Sequence, residues 1–282
     1  MANFSNYATL SYNGGTLNSN TVTGEIVQIL NMTKTAVKAT YEKGDIITYV
    51  ISLVNSADSP LNALTITDDL GGYVFNEKTV YPLEYYADSV KLYVNGALQP
   101  SLTVEAGPPL VIEGINIPAG ANAILVYEAA LTSAAPLGVE ATITNVAQIT
   151  GGGISAPLSA TETVSPESSV NLLITKGLCP EKVNENGKIT YTFIIENTGS
   201  TQALASDNVV LSDTFLPVLK NLTAAYNGTL MGEGNYTYND ATGEFATTAG
   251  FITVPAATYT QNEDGSFTIT PGTAKITVTG TI

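Results

Sequence analysis

The chain has 282 residues, 44% of them hydrophobic, and its 10 basic residues against 25 acidic ones give a formal charge of −15. No histidine and a single cysteine, Cys179, are present, so histidine-based acid–base catalysis, zinc chemistry, thiolate clusters and intrachain disulfides each lack a required part. Phosphate binding needs clustered cations that this composition does not supply, so nucleic acid is excluded as a partner, and no cofactor or metal is expected. The length accommodates two cores of ordinary size.

The N-terminus, MANFSNYATL, has neither a basic n-region nor an apolar h-region, and no run approaches the roughly 18 apolar residues of a membrane span. The expectation is a chain that is not a Sec substrate and does not insert into a membrane. Its first element is a strand, FSNYATLSYNGG, with Phe4, Asn6, Ala8 and Leu10 on one face. From there on, period-two runs rich in Val, Ile, Thr and Tyr alternate with Gly, Pro, Asn and Asp clusters, which predicts an all-β protein of immunoglobulin-like sandwiches.

Residues 30–70 and 172–215 share one pattern. Lys34 and Lys176 each precede a tyrosine (Tyr49, Tyr191) by 15 residues and an asparagine (Asn55, Asn197) by 21, and an aspartate (Asp68, Asp213) follows on the next strand. Beyond these, PAGANAILVYEAA matches PGTAKITVTGTI, where copy two stops, whereas copy one continues into a last strand, ATITNVAQIT. The counterpart of that strand stands at the front of the chain: SNYATLSYNGG aligns with TNVAQITGGGI, and Asn6 precedes Lys34 by 28 residues as Asn145 precedes Lys176 by 31.

The organisation read from this is a donor strand (residues 1–15), a first sandwich with its leading linker (16–150), a linker (151–167) and a second sandwich lacking its last strand (168–282). A sandwich without its final strand exposes unpaired backbone groups. Strand addition from a second copy of the chain closes it, and a head-to-tail contact of that kind propagates as a fibre. Residues 1–11 as a tail or as a strand on copy one, and insertion into the same chain's copy two, remain alternatives; about 28 residues reach up to ~90 Å when extended.

The stretches TKTA, GDIITYVISLVN, LTITDDL and ATITNVAQIT resemble the bacterial surface "conserved repeat domain" (domain of unknown function eleven), an immunoglobulin-like module of stalks and surface fibres. Small acidic two-copy chains of this kind also resemble subunits of clostridial spore appendages. The resemblance implies an extracellular or spore-surface structural protein that turns over no substrate, with a non-polymerising adhesin or stalk fragment as the other reading.

Phase places Lys34, Asp68 and Asn145 on core-facing sides of copy one, and Lys176 and Asp213 likewise in copy two. Buried charges need partners. In bacterial surface domains such a Lys–Asp–Asn set resembles an autocatalytic isopeptide site. That likeness implies Lys34 as nucleophile, Asp68 as proton shuttle and Asn145 as electrophile within the chain. Across chains it implies Lys176, Asp213 and Asn6 of a neighbour. Asp69 is an alternative shuttle on the opposite phase, and a hydrogen-bonded buried salt bridge is the alternative to a covalent bond. Asp45, Glu185 and Asp264 sit in turn contexts and read as turn formers rather than calcium ligands. Cys179 reads as a free thiol or as one half of an intermolecular disulfide.

Overall fold

A computed structural model describes residues 2–282; Met1 lies outside the described residues. The chain is all-β and forms two compact units, the first ending at Val164 and the second running from Ser165 to Ile282, with Thr40–Lys43 and Ser133–Ile143 counted in the second. No helix among the described residues is long and apolar enough to cross a membrane.

Ahead of the first sandwich, β1 (Ala2–Asn6), β2 (Thr9–Tyr12), β3 (Gly15–Asn18) and β4 (Val22–Ile26) form a ribbon. β1 pairs antiparallel with β4, β2 pairs with β3, and neither pair joins a sandwich sheet. The ladder steps by one residue between Asn6↔Val22 and Thr9↔Asn18, where Ser19 caps Ala8 by side-chain and backbone hydrogen bonds. The segment expected as a single strand over 1–15 is therefore one arm of a two-stranded ribbon. Its other arm comes from residues expected as the leading linker.

The first sandwich uses β5 (Leu30–Ala36), β6 (Ile46–Asn55), β7 (Leu61–Asp68), β8 (Lys91–Val94), β9 (Leu110–Ile117), β10 (Asn122–Leu131), β11 (Ile143–Gly151) and β12 (Leu158–Pro166). One sheet runs β8-β10-β6-β5 and the other β9-β7-β11-β12. β6 shows why the sequence folds this way: in IITYVISLVN every second side chain, Ile47, Tyr49, Ile51 and Leu53, is buried between the sheets. Residues 158–166, expected as linker, are a strand of this sandwich. LSATETVSP carries only Ala160, Val164 and Pro166 as buried residues, too sparse an apolar phase to stand out in sequence.

The second sandwich uses β13 (Leu172–Cys179), β14 (Lys188–Asn197), β15 (Ser212–Thr214), β16 (Lys220–Tyr226), β17 (Tyr236–Tyr238), β18 (Glu244–Thr247) and β19 (Gly272–Thr281). Its sheets run β13-β14-β19-β16 and β15-β18-β17. Details repeat between the copies. An Asn-Gly pair with positive φ closes the hairpin after β8 (Asn95-Gly96) and after β16 (Asn227-Gly228). The asparagines at the shared offset lock one corner: Asn55 Nδ2 donates to the carbonyls of Ser59, Ile117 and Pro118, and Asn197 Nδ2 to those of Thr201 and Pro255.

Candidate functional site

The two copies differ most at β7 and β15. β7 is flanked by β9 on one edge and β11 on the other, with Ala147 opposite Asp68. β15 pairs with β18 on one edge, and among the described residues no strand lies on the other. The amide of Asp69 donates to the Val146 carbonyl across that ladder, whereas its counterpart, the amide of Thr214, donates to the adjacent Asp213 carboxylate. Among the described residues, no strand of the second sandwich corresponds to β11 or β12.

The opening also uncovers β13. Ile174, Lys176 and Leu178 share the face that carries Phe193 and Ile195 on β14, yet Ile174 is 55% and Leu178 42% exposed. At the matching positions of β5, Met32 and Ala36 are half-buried and Lys34 is buried. Fully burying an aliphatic side chain of this size is worth about 1.5–3 kcal/mol, and covering one that is half exposed about half of that, so this groove favours an apolar occupant.

The ribbon has the complementary character. Antiparallel pairing puts Phe4, Asn6, Val22, Gly24 and Ile26 on one face of β1–β4 and Asn3, Ser5, Thr23 and Glu25 on the other. Phe4, Val22 and Ile26 are exposed. The Phe4 ring lies across Gly24, where a Cβ would stand 2.3 Å from its tip, so only glycine admits this packing. In the outer half Leu10 faces Leu17, again exposed. Ala8 lies between the two halves, in the bulged stretch.

In the first sandwich Lys34, Asp68 and Asn145 come together in the core. Lys34 Nζ donates to Asp68 Oδ2 at 2.6 Å, both side chains having no solvent exposure. The same oxygen accepts the Tyr127 hydroxyl at 2.6 Å, and Asp68 Oδ1 accepts the Leu70 amide at 3.1 Å. Asn145 Nδ2 donates to the Tyr127 hydroxyl at 3.1 Å, while its Oδ1 is buried with no hydrogen-bond partner. Asp68 thus reaches Asn145 through Tyr127, a residue that sequence comparison did not single out because Val278 stands opposite Tyr191 where Tyr127 stands opposite Tyr49. Asp69 accepts the amides of Gly71 and Val146 and belongs to the turn and ladder, not to this cluster.

Burial lowers the Lys34 pKa below its ordinary 10.5, against the opposing pull of the Asp68 carboxylate. Burial, and then the Asp68 charge, push Tyr127 well above its ordinary value. The unfolded chain therefore holds the lysine proton longer than the folded one, and stability of the first sandwich rises with pH until the unfolded tyrosine begins to ionise near 10. In an Asn145→Ala chain, pulse proteolysis in urea should give a midpoint for this sandwich that climbs as the pH is raised toward about 10 and then turns down. A flat profile contradicts this electrostatic picture.

In the second sandwich Lys176 pairs with Asp213, but their side chains are 43% and 18% exposed. Lys176 lies over the rings of Tyr191, Phe193 and Phe215. Asn6 is exposed on β1, opposite Val22. Of the turn-context acids, Asp264 caps the Ser266 amide and hydroxyl. Cys179 is a free, exposed thiol at the end of β13.

No family model matches the chain, and no curated protein matches it. Among solved structures, it is similar to the major pilin subunit BcpA of Bacillus cereus (12% identity, TM-score 0.37, covering 96% of this chain and 73% of that one). It is also similar to the full-length major pilin SpaD of Corynebacterium diphtheriae (14%, 0.37, 85% and 58%), and to the collagen adhesin of S. aureus (12%, 0.32, 56% of each).

Proposed function

We propose that the chain is a structural subunit that assembles head-to-tail with copies of itself into an extracellular or spore-surface fibre, each copy inserting its N-terminal ribbon into the second sandwich of the next. One observation carries this reading. Among the described residues the second sandwich has no counterpart of β11 and β12, which complete the first, and residues 2–26 form a two-stranded ribbon whose apolar side chains Phe4, Val22 and Ile26 are exposed.

The sequence alignment sets the register. Ala8 takes the place of Ala147, opposite Asp213, and Asn6 takes the place of Asn145, beside Lys176. β1 and β2 then take the place of β11 along the β15 edge, β3 and β4 take the position of β12, and the donor chain runs on into its own first sandwich. Ladder hydrogen bonds and apolar side chains set alternately into the groove supply the affinity. Such a contact is heterologous and propagates.

Within the first sandwich, Lys34 and Asn145 form an amide crosslink with loss of ammonia, and Lys176 forms the same bond to Asn6 of the incoming copy. Lys34 is suited to nucleophilic attack because burial favours its neutral amine. The chain turns over no substrate. An Asn6→Ala chain is expected to build fibres that fall apart to monomers in boiling detergent, where the native fibre gives a ladder on a denaturing gel. An unchanged ladder refutes Asn6 as the electrophile.

A further inference from the structure

We propose that Tyr127 is the proton relay of the Lys34–Asn145 reaction, passing to the departing nitrogen the proton that Asp68 takes from Lys34. This rests on the crosslink reading given above. Among the described residues, the Tyr127 hydroxyl is the only hydrogen-bond partner of the Asn145 carboxamide, at 3.1 Å from Nδ2, and the same hydroxyl is 2.6 Å from Asp68 Oδ2. No direct hydrogen bond links Asp68 to Asn145. A proton held by Asp68 therefore has one bonded route to the leaving nitrogen, and it runs through the phenol oxygen.

The steps balance. Lys34 gives one proton to Asp68 and becomes a neutral amine. Its nitrogen attacks Asn145 Cγ, forming the new C–N bond and moving the carbonyl electron pair onto Oδ1. Nδ2 becomes pyramidal and gains a lone pair. Asp68 returns its proton to the Tyr127 oxygen as the phenol hydrogen passes to Nδ2. The carbonyl re-forms, the Cγ–Nδ2 bond breaks and ammonia leaves. The attacking nitrogen gives its second proton to Asp68, which ends as a neutral acid beside a neutral amide. Tyr127 finishes as it began.

The environment keeps the phenol in the form this role needs, since burial and the adjacent carboxylate hold its proton on. Stacking on Tyr49, with ring centroids 5.4 Å apart and planes at 20°, fixes the ring. Val278 occupies the corresponding place in the second sandwich, so the Lys176 bond runs without this relay and serves as an internal control.

The test is a time course of intact mass and peptide mapping after cell-free synthesis of the full chain. Native protein is expected to lose one ammonia at the peptides bearing Lys34 and Asn145, and Tyr127→Phe to do so about a hundredfold more slowly, while the intersubunit ladder forms at the native rate. Replacing tyrosine with 3-fluorotyrosine keeps ring and hydroxyl and lowers the phenol pKa; it should move the rate–pH profile to lower pH, a readout independent of whether the Phe variant folds. A Phe variant that reacts at the native rate, or an unmoved fluorotyrosine profile, overturns the relay alone. A native chain that never loses ammonia at these peptides overturns the crosslink and the relay with it.

Discussion

A chain beginning at Val27 is expected to stay monomeric at concentrations where the full chain forms fibres. Residues 2–26 contribute no strand to either sandwich sheet, so both should remain folded, and the first should still lose its ammonia. What disappears is the ribbon that, in the proposed assembly, supplies ladder hydrogen bonds to the β15 edge and apolar cover to Ile174 and Leu178. Removing the whole insert should weaken self-association by at least about a thousandfold, or ~4 kcal/mol. The truncated chain keeps its own open groove, so small amounts added to native protein should cap growing ends and shorten the fibres. Light scattering and electron microscopy check both outcomes. Fibres of normal length from the truncated chain would rule out ribbon donation.

The second large effect is expected at Asp68. Replacing it with Ala leaves Lys34 as a buried charge without its carboxylate and removes the acceptor of the Tyr127 hydroxyl and the Leu70 amide. Breaking a buried pair on one side destabilises by about 3–5 kcal/mol, and the crosslink is lost as well. Asp213→Ala in the free monomer should change stability by only about 0–1 kcal/mol, because Lys176 is half in water and screened. A double replacement, Lys34→Met with Asp68→Leu, should recover the part of the loss that comes from the unpaired buried charge, without the crosslink, while the Tyr127 hydroxyl and the Leu70 amide still lack their acceptor. Pulse proteolysis in urea measures all three. Equal effects at Asp68 and Asp213 would contradict the asymmetry between the two sites.

Much of this arrangement is legible in the sequence because the chain contains two copies of one pattern. Matched offsets to a tyrosine and an asparagine mark Lys34 with Lys176, an aspartate on the next strand marks Asp68 with Asp213, and strand phase points them inward. Internal comparison finds only what both copies share, which is why Tyr127 escapes it: its counterpart is Val278, and a tyrosine in AILVYEAA reads as ordinary core. The second arm of the ribbon escapes for another reason. VTGEI has a central glycine and little apolar periodicity, so it reads as linker until Phe4 is laid across Gly24. β12 is hidden likewise, because a strand with so few inward apolar residues has a weak period-two signal. The exposure of Lys176 is not legible either: phase fixes which way the side chain points, and the strands packed over it decide whether anything covers it.

Reconstruction of the assembled fibre by electron microscopy should show two-stranded density for residues 2–26 of one copy lying between β13 and β15 of the next, with Asn6 at Lys176. A fibre in which that groove is empty, or is filled by the ribbon of its own chain, contradicts donation between copies.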